Sequence, residues 1–165
     1  MFLFTRFLVL SLLLFAAFAL QSAHVFGFFG IQPNIVLLLL VVFSLLVPIF
    51  RMGIFLFFFM EAVFLLLVFA LFPFWFFETL FLILLASFLF FGKKLLTGTF
   101  GIDFFISFVI VSVAFYIVLG ISNASLGFVW FAFFEFIFTL LVALFFWYVL
   151  FYRSRFVQDF FQVSL

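Results

Sequence analysis

Gln21-Ser22-Ala23-His24-Val25-Phe26-Gly27-Phe28-Phe29-Gly30-Ile31-Gln32-Pro33-Asn34-Ile35 is the longest pause between two apolar runs, and it decides how the chain is read. On one side lies an apolar segment from Phe7 to Leu20, and on the other an apolar run that continues to Val47. Pro33-Asn34 reads as a helix start, because a proline in the first turn gives up an amide that has no partner there. Two apolar helices joined by a short connection form a hairpin, and the rest of the chain reads as helices packed around it.

The composition states what surrounds those helices. Of 165 residues, 73% are apolar and only 7% are charged. A soluble domain keeps about 25% charged residues to face water. These side chains cannot cover a water-facing surface, so an integral membrane protein is expected. Barrel strands alternate apolar and polar over about ten residues, whereas these runs are continuous. Only helices satisfy their own backbone groups in lipid without closing a barrel. The expected fold is all-α, a single polytopic bundle.

Six spans are expected, at about 7–20, 33–50, 53–72, 74–92, 102–121 and 128–152. Arg6 precedes the first span, whose Ala17-Phe18-Ala19 also resembles a signal-peptide cleavage site. A retained first helix is the expectation. With six spans, one side of the membrane holds Arg6, Arg51, Lys93, Lys94, Arg153 and Arg155, which are all the basic residues. Short loops rich in Lys and Arg stay cytoplasmic, so both termini are expected in the cytoplasm. Trp75 and Trp130 fall near the outer span ends, and Trp147, Tyr148 and Tyr152 near the inner end of the sixth, as belt residues do.

Chemistry is sparse. Without cysteine, disulfides, thiolate metal sites and cysteine nucleophiles are excluded. A net charge of +1 with scattered basic residues gives no reason to expect nucleic acid. His24 stands without nearby Asp, Glu or Cys and reads as solvated, and no metal or cofactor is expected. Asn123-Ala124-Ser125 matches a glycosylation sequon only a few residues from two helices and is set aside. The 41 phenylalanines read as compositional bias for lipid contact. No nucleophile set or phosphate loop is present, so no catalytic residue is expected.

Ionisable residues within a span are costly, about 2.5–3.5 kcal/mol at its centre on insertion scales, and become candidates by default. Glu78 and Asp103 lie near span starts and are expected to reach headgroups or water. Glu61 and Glu135 lie deeper, roughly 12 Å and roughly 10 Å into their spans. No Lys or Arg lies at that depth, so burial favours the neutral acid, which both donates and accepts hydrogen bonds. Ala132, Glu135, Thr139 and Ala143 share a helical arc, as do Asp103, Ser107 and Ala114. Such small and polar stripes face neighbouring helices. Two readings stay open: a proton-sensitive or ligand-binding pair of glutamates, or interhelical hydrogen-bond glue.

Leu20-Gln21-Ser22 after the first span, and Gly30-Ile31-Gln32-Pro33-Asn34-Ile35 opening the second, resemble the bacterial rod-shape-determining MreD family. Leu71-Phe72-Pro73-Phe74 followed by Glu78-Thr79-Leu80 is similar to that family's turn between its third and fourth helices. The family's Gly-Leu-Leu-Leu-Asp near the end of the third helix is missing. Met60-Glu61-Ala62-Val63-Phe64-Leu65 stands there instead, and no role passes to Glu61. The resemblance implies a non-catalytic subunit of the cell-elongation machinery in the bacterial cytoplasmic membrane, binding an MreC-like partner. The alternative is a substrate-binding subunit of an energy-coupling-factor vitamin transporter, also a six-helix protein. Such a subunit needs polar groups converging on an outer cavity, where the sequence offers His24, Gln32, Asn34, Glu78 and Asn123.

Overall fold

The computed structural model describes residues 2–23, 31, 33–47, 49, 51–96, 100–122, 126–146 and 148. Six helices are defined among them: α1 (Phe2–Ser22), α2 (Ile35–Leu46), α3 (Arg51–Leu71), α4 (Phe76–Gly92), α5 (Phe100–Ser122) and α6 (Leu126–Phe146). His24, Gly30, Gln32, Asn123-Ala124-Ser125, Trp147, Tyr152, Arg153 and Arg155 lie outside the described residues, as does the expected extension of the sixth span to Tyr152.

The boundaries differ from the expected spans in ways the local chemistry explains. Pro33 is not in the first turn of α2; it precedes the cap. Asn34 is the N-cap, and its Oδ1 accepts the Leu37 amide at 3.0 Å. Asparagine is among the best residues for this role, because its side chain satisfies an amide that has no intrahelical partner. At the other end α2 stops at Leu46, not Phe50, because Val47 is extended (φ −70°, ψ 122°). Val47 precedes Pro48, whose ring disfavours the helical conformation in the residue before it. Pro73 breaks the chain after α3, and a single 3-10 turn over Pro73–Trp75 leads into α4. Helix α1 begins at Phe2, so Arg6 falls inside it.

Six full-length spans are therefore not what the described residues contain. Met52–Leu71, Pro73–Leu95 and Ile102–Gly120 are long and apolar enough to cross a membrane. Leu8–Ser22, Ile35–Leu46 and Val129–Phe145 are apolar but shorter. At 1.5 Å per residue α2 is about 18 Å long, well under the ~30 Å hydrocarbon thickness.

This short helix is the centre of the bundle. It touches α1, α4, α5 and α6, while α1 lies against α3, α3 against α4, α4 against α5 and α5 against α6. Burial around α2 is accordingly wide, taking in Val36, Leu37, Leu38, Leu40, Val41 and Phe43. Between the outer helices the phenylalanines do the packing. Phe57 of α3 stacks on Phe90 of α4 with centroids 4.3 Å apart, and Phe81 of α4 on Phe115 of α5 at 6.3 Å. Phe108 of α5 meets Phe136 of α6 at 5.8 Å, and Phe18 of α1 meets Phe64 of α3 edge-on at 6.1 Å. Offset and edge-on pairs of this kind add to simple contact.

Away from these seams the apolar side chains point outwards. Ile102, Ile106, Ile110, Val113 and Ile117 recur at helical spacing along α5 and are all exposed. Leu66 and Phe88 are 66% and 79% exposed on α3 and α4. A water-soluble surface does not carry continuous apolar faces of this extent. An all-α bundle with several long apolar helices is the form of a polytopic membrane protein.

Candidate functional site

Apolar lipid gives helices little reason to associate, so polar groups between them carry much of the specificity. The N-terminus of α2 is one of two places where such bonds gather in the described structure. Its first amides need partners from outside the helix. The Asn34 amide donates to Thr139 Oγ1 at 2.7 Å, and the Val36 amide donates to Gln21 Oε1 at 3.3 Å. The Thr139 hydroxyl in turn donates to the Glu135 carbonyl at 2.7 Å, the usual back-bond to the preceding turn. One end of α2 is thus tied to α1 and to α6.

A cavity of about 240 Å³ adjoins this point. It is bordered by the last turns of α1 and α5, the starts of α2 and α4, and the first half of α6. Its polar lining comprises Gln21, Asn34, Glu78, Thr79, Tyr116 and Glu135. Glu135 is 8% exposed, and Glu78, in the first turn of α4, is half-buried and close enough to act electrostatically on it. The Tyr116 hydroxyl lies beside Glu135, Asn34 and Thr139, without a hydrogen bond of normal geometry to any of them. The remaining wall is apolar and aromatic, with Phe18, Trp75, Phe115 and Phe131. Phe18 and Trp75 meet edge-on at 6.5 Å.

Glu61 belongs elsewhere. It is buried on α3, where its Oε2 accepts the Ser87 hydroxyl of α4 at 2.9 Å. Its other oxygen is buried without a partner among the described residues. Glu61 does not border the cavity, so the two deep glutamates do not form one site. Ala132, Glu135, Thr139 and Ala143 are all buried along α6. Asp103, expected to reach headgroups or water, is only 6% exposed and lies near Ser107, Phe104 and Phe108 on the inward side of α5. Asp103 shares the helical face of Ser107, which is also buried, and position along the span alone does not register which face a residue is on.

At the opposite end of the bundle, Lys93 follows α4 in a 3-10 turn and reaches the C-terminus of α2. Its Nζ donates to Ser44 O at 2.7 Å and to Val47 O, with Leu45 O at 3.4 Å. Three ammonium protons meet three carbonyls that the end of α2 leaves open. The ammonium also sits 4.3 Å from the Phe90 ring centroid, within cation–π range. Ser44 completes the junction by donating to Leu40 O at 2.7 Å, with Ala86 O also in reach at 3.1 Å. Lys94 beside it is exposed.

Sequence reasoning passed over Gln21, Thr79 and Tyr116 as site residues. The signal for them was topological, since α1 and α5 end where α2, α4 and α6 begin. All the polar lining residues fall within about ten residues of that shared end. Comparison of the chain with family models, with curated proteins and with solved structures finds no match.

Proposed function

We propose that this chain is a non-catalytic, multi-pass membrane subunit, similar to the MreD scaffold of the bacterial cell-elongation machinery. On this reading it crosses the cytoplasmic membrane six times with both termini inside, and it holds an MreC-like partner. The supporting observation is where the deep polar groups go. Ser87 donates to Glu61, the Asn34 amide donates to Thr139, and Ser44 and Lys93 donate to carbonyls of other turns. Polar side chains placed between helices favour a fixed scaffold whose work is done on its outer faces. Purification from the native host in gentle detergent, followed by mass spectrometry, tests this. Cell-shape and wall-synthesis proteins in the eluate support it, and an energy-coupling transmembrane subunit with its ATPases overturns it.

One observation favours the second reading, a substrate-binding membrane subunit of the energy-coupling-factor type. The cavity beside Glu135 collects more polar groups at that end than the loops alone offered, namely Gln21, Thr79, Tyr116 and Glu135. A concave site with an apolar wall and a few convergent polar groups is the usual form of a small-molecule site. The same purification discriminates, because this reading requires a bound small molecule and its transport partners.

A further inference from the structure

We propose that the cavity beside Glu135 binds a small organic cation, an ammonium-type head on a short apolar body. The proposal rests on the second reading, that this cavity is a ligand site, and it names the class of ligand.

The argument begins with charge. Glu135 is more than nine-tenths buried and borders the cavity, and Glu78 borders the same space. No Lys or Arg among the described residues lines it. The Tyr116 hydroxyl beside the Glu135 carboxyl is buried without a partner of normal geometry among the described residues. A cation beside a carboxyl group favours its ionised form, and the charge this lining lacks is a positive one. An anionic ligand would bring negative charge into a poorly solvated space that no Lys or Arg among the described residues lines, at high cost.

The wall decides between an organic and a metal cation. Calcium and magnesium take six or more oxygen ligands, and their shells are filled by carboxylates, carbonyls and water. Here the two carboxyl groups share the cavity with Phe18, Trp75 and Phe131. Aromatic faces attract alkylammonium groups and shelter their methyl or methylene surface. A volume of about 240 Å³ lies just below the ~300–1,000 Å³ of drug-sized sites, which limits the ligand to a small molecule.

Calorimetry on the purified protein in maltoside detergent tests this with choline and its uncharged isostere 3,3-dimethyl-1-butanol. The expected result is saturable choline binding, with the isostere at least about tenfold weaker, because the contact of a positive charge with the carboxyl groups and aromatic faces is lost. Glu135→Gln should bring choline down to the level of the isostere, and Phe131→Leu should weaken choline more than the isostere. Equal binding of the two probes by the wild-type protein, which requires no variant to fold, overturns the cation assignment. Choline binding unchanged in Glu135→Gln also overturns it. Native mass spectrometry separates the two levels of failure. A neutral or acidic small molecule retained from the host overturns the cation class and leaves the ligand-site reading standing. Absence of both choline binding and a retained small molecule overturns both.

Discussion

The backbone amide of Asn34 donates to the side-chain oxygen of Thr139, 105 residues further along the chain, at 2.7 Å. Both residues are buried, so the bond is shielded from competing water. It joins the cap of the central helix to the inward face of the last one.

Thr139→Val keeps the shape and removes the acceptor, leaving the Asn34 amide buried without a partner. The expected loss is about 1–2 kcal/mol, between the penalty for an orphaned donor and the smaller values usual between membrane helices. Thr139→Ser should restore most of it. Unfolding by titration with a denaturing detergent, read by the near-ultraviolet signal of Trp130 and its neighbours, checks both.

Asn34→Ala removes the side chain that caps Leu37 but leaves the bond to Thr139. A loss of about 1 kcal/mol is expected, with Asn34→Ser much closer to wild type. The same titration separates the two contacts, since Asn34→Ala and Thr139→Val should nearly add unless α2 shifts as a unit.

Lys93→Met and Lys94→Met remove the same charge from the same end of the bundle. Only Lys93 bonds the carbonyls of Ser44 and Val47. Lys93→Met should therefore destabilise the folded protein by about 1–3 kcal/mol, while Lys94→Met stays within about 0.5 kcal/mol. Because both variants shift the Lys and Arg balance equally, an orientation effect would change them alike in an accessibility-labelling assay.

Ser87→Ala takes away the one hydrogen bond to the Glu61 carboxyl, whose other oxygen already lacks a partner among the described residues. A loss of about 1–3 kcal/mol is expected. Glu61→Gln should be better tolerated, because its amide oxygen still accepts from Ser87. A double-mutant cycle over the two positions gives their coupling directly.

The helical character was legible because apolar runs of this length have few alternatives in lipid. The ends were less so. Pro33 was read as a first-turn residue, while the stronger capping chemistry belongs to Asn34, and Pro48 ends α2 through its effect on Val47. Glu135 and Thr139 were visible as a small and polar stripe. Tyr116 was hidden in Phe115-Tyr116-Ile117, where its hydroxyl is one atom in an aromatic run and only helix packing sets it beside Glu135. Lys93 was legible as a charge near a membrane surface, but its role as a cap depends on where α2 stops.

The central helix has a consequence for biogenesis. As the chain is made, α2 leaves the ribosome before the groups that hold its two ends have been synthesised. Lys93 follows Ser44 by 49 residues, and Thr139 follows Asn34 by 105. Until then only Gln21 and its own Asn34 cap serve it, and a 12-residue helix is too short to hold a bilayer position by length alone. The start of this central helix is thus fastened last, and a ribosome stalled before α6 would leave the Asn34 amide waiting for Thr139 while Lys93 already holds the other end.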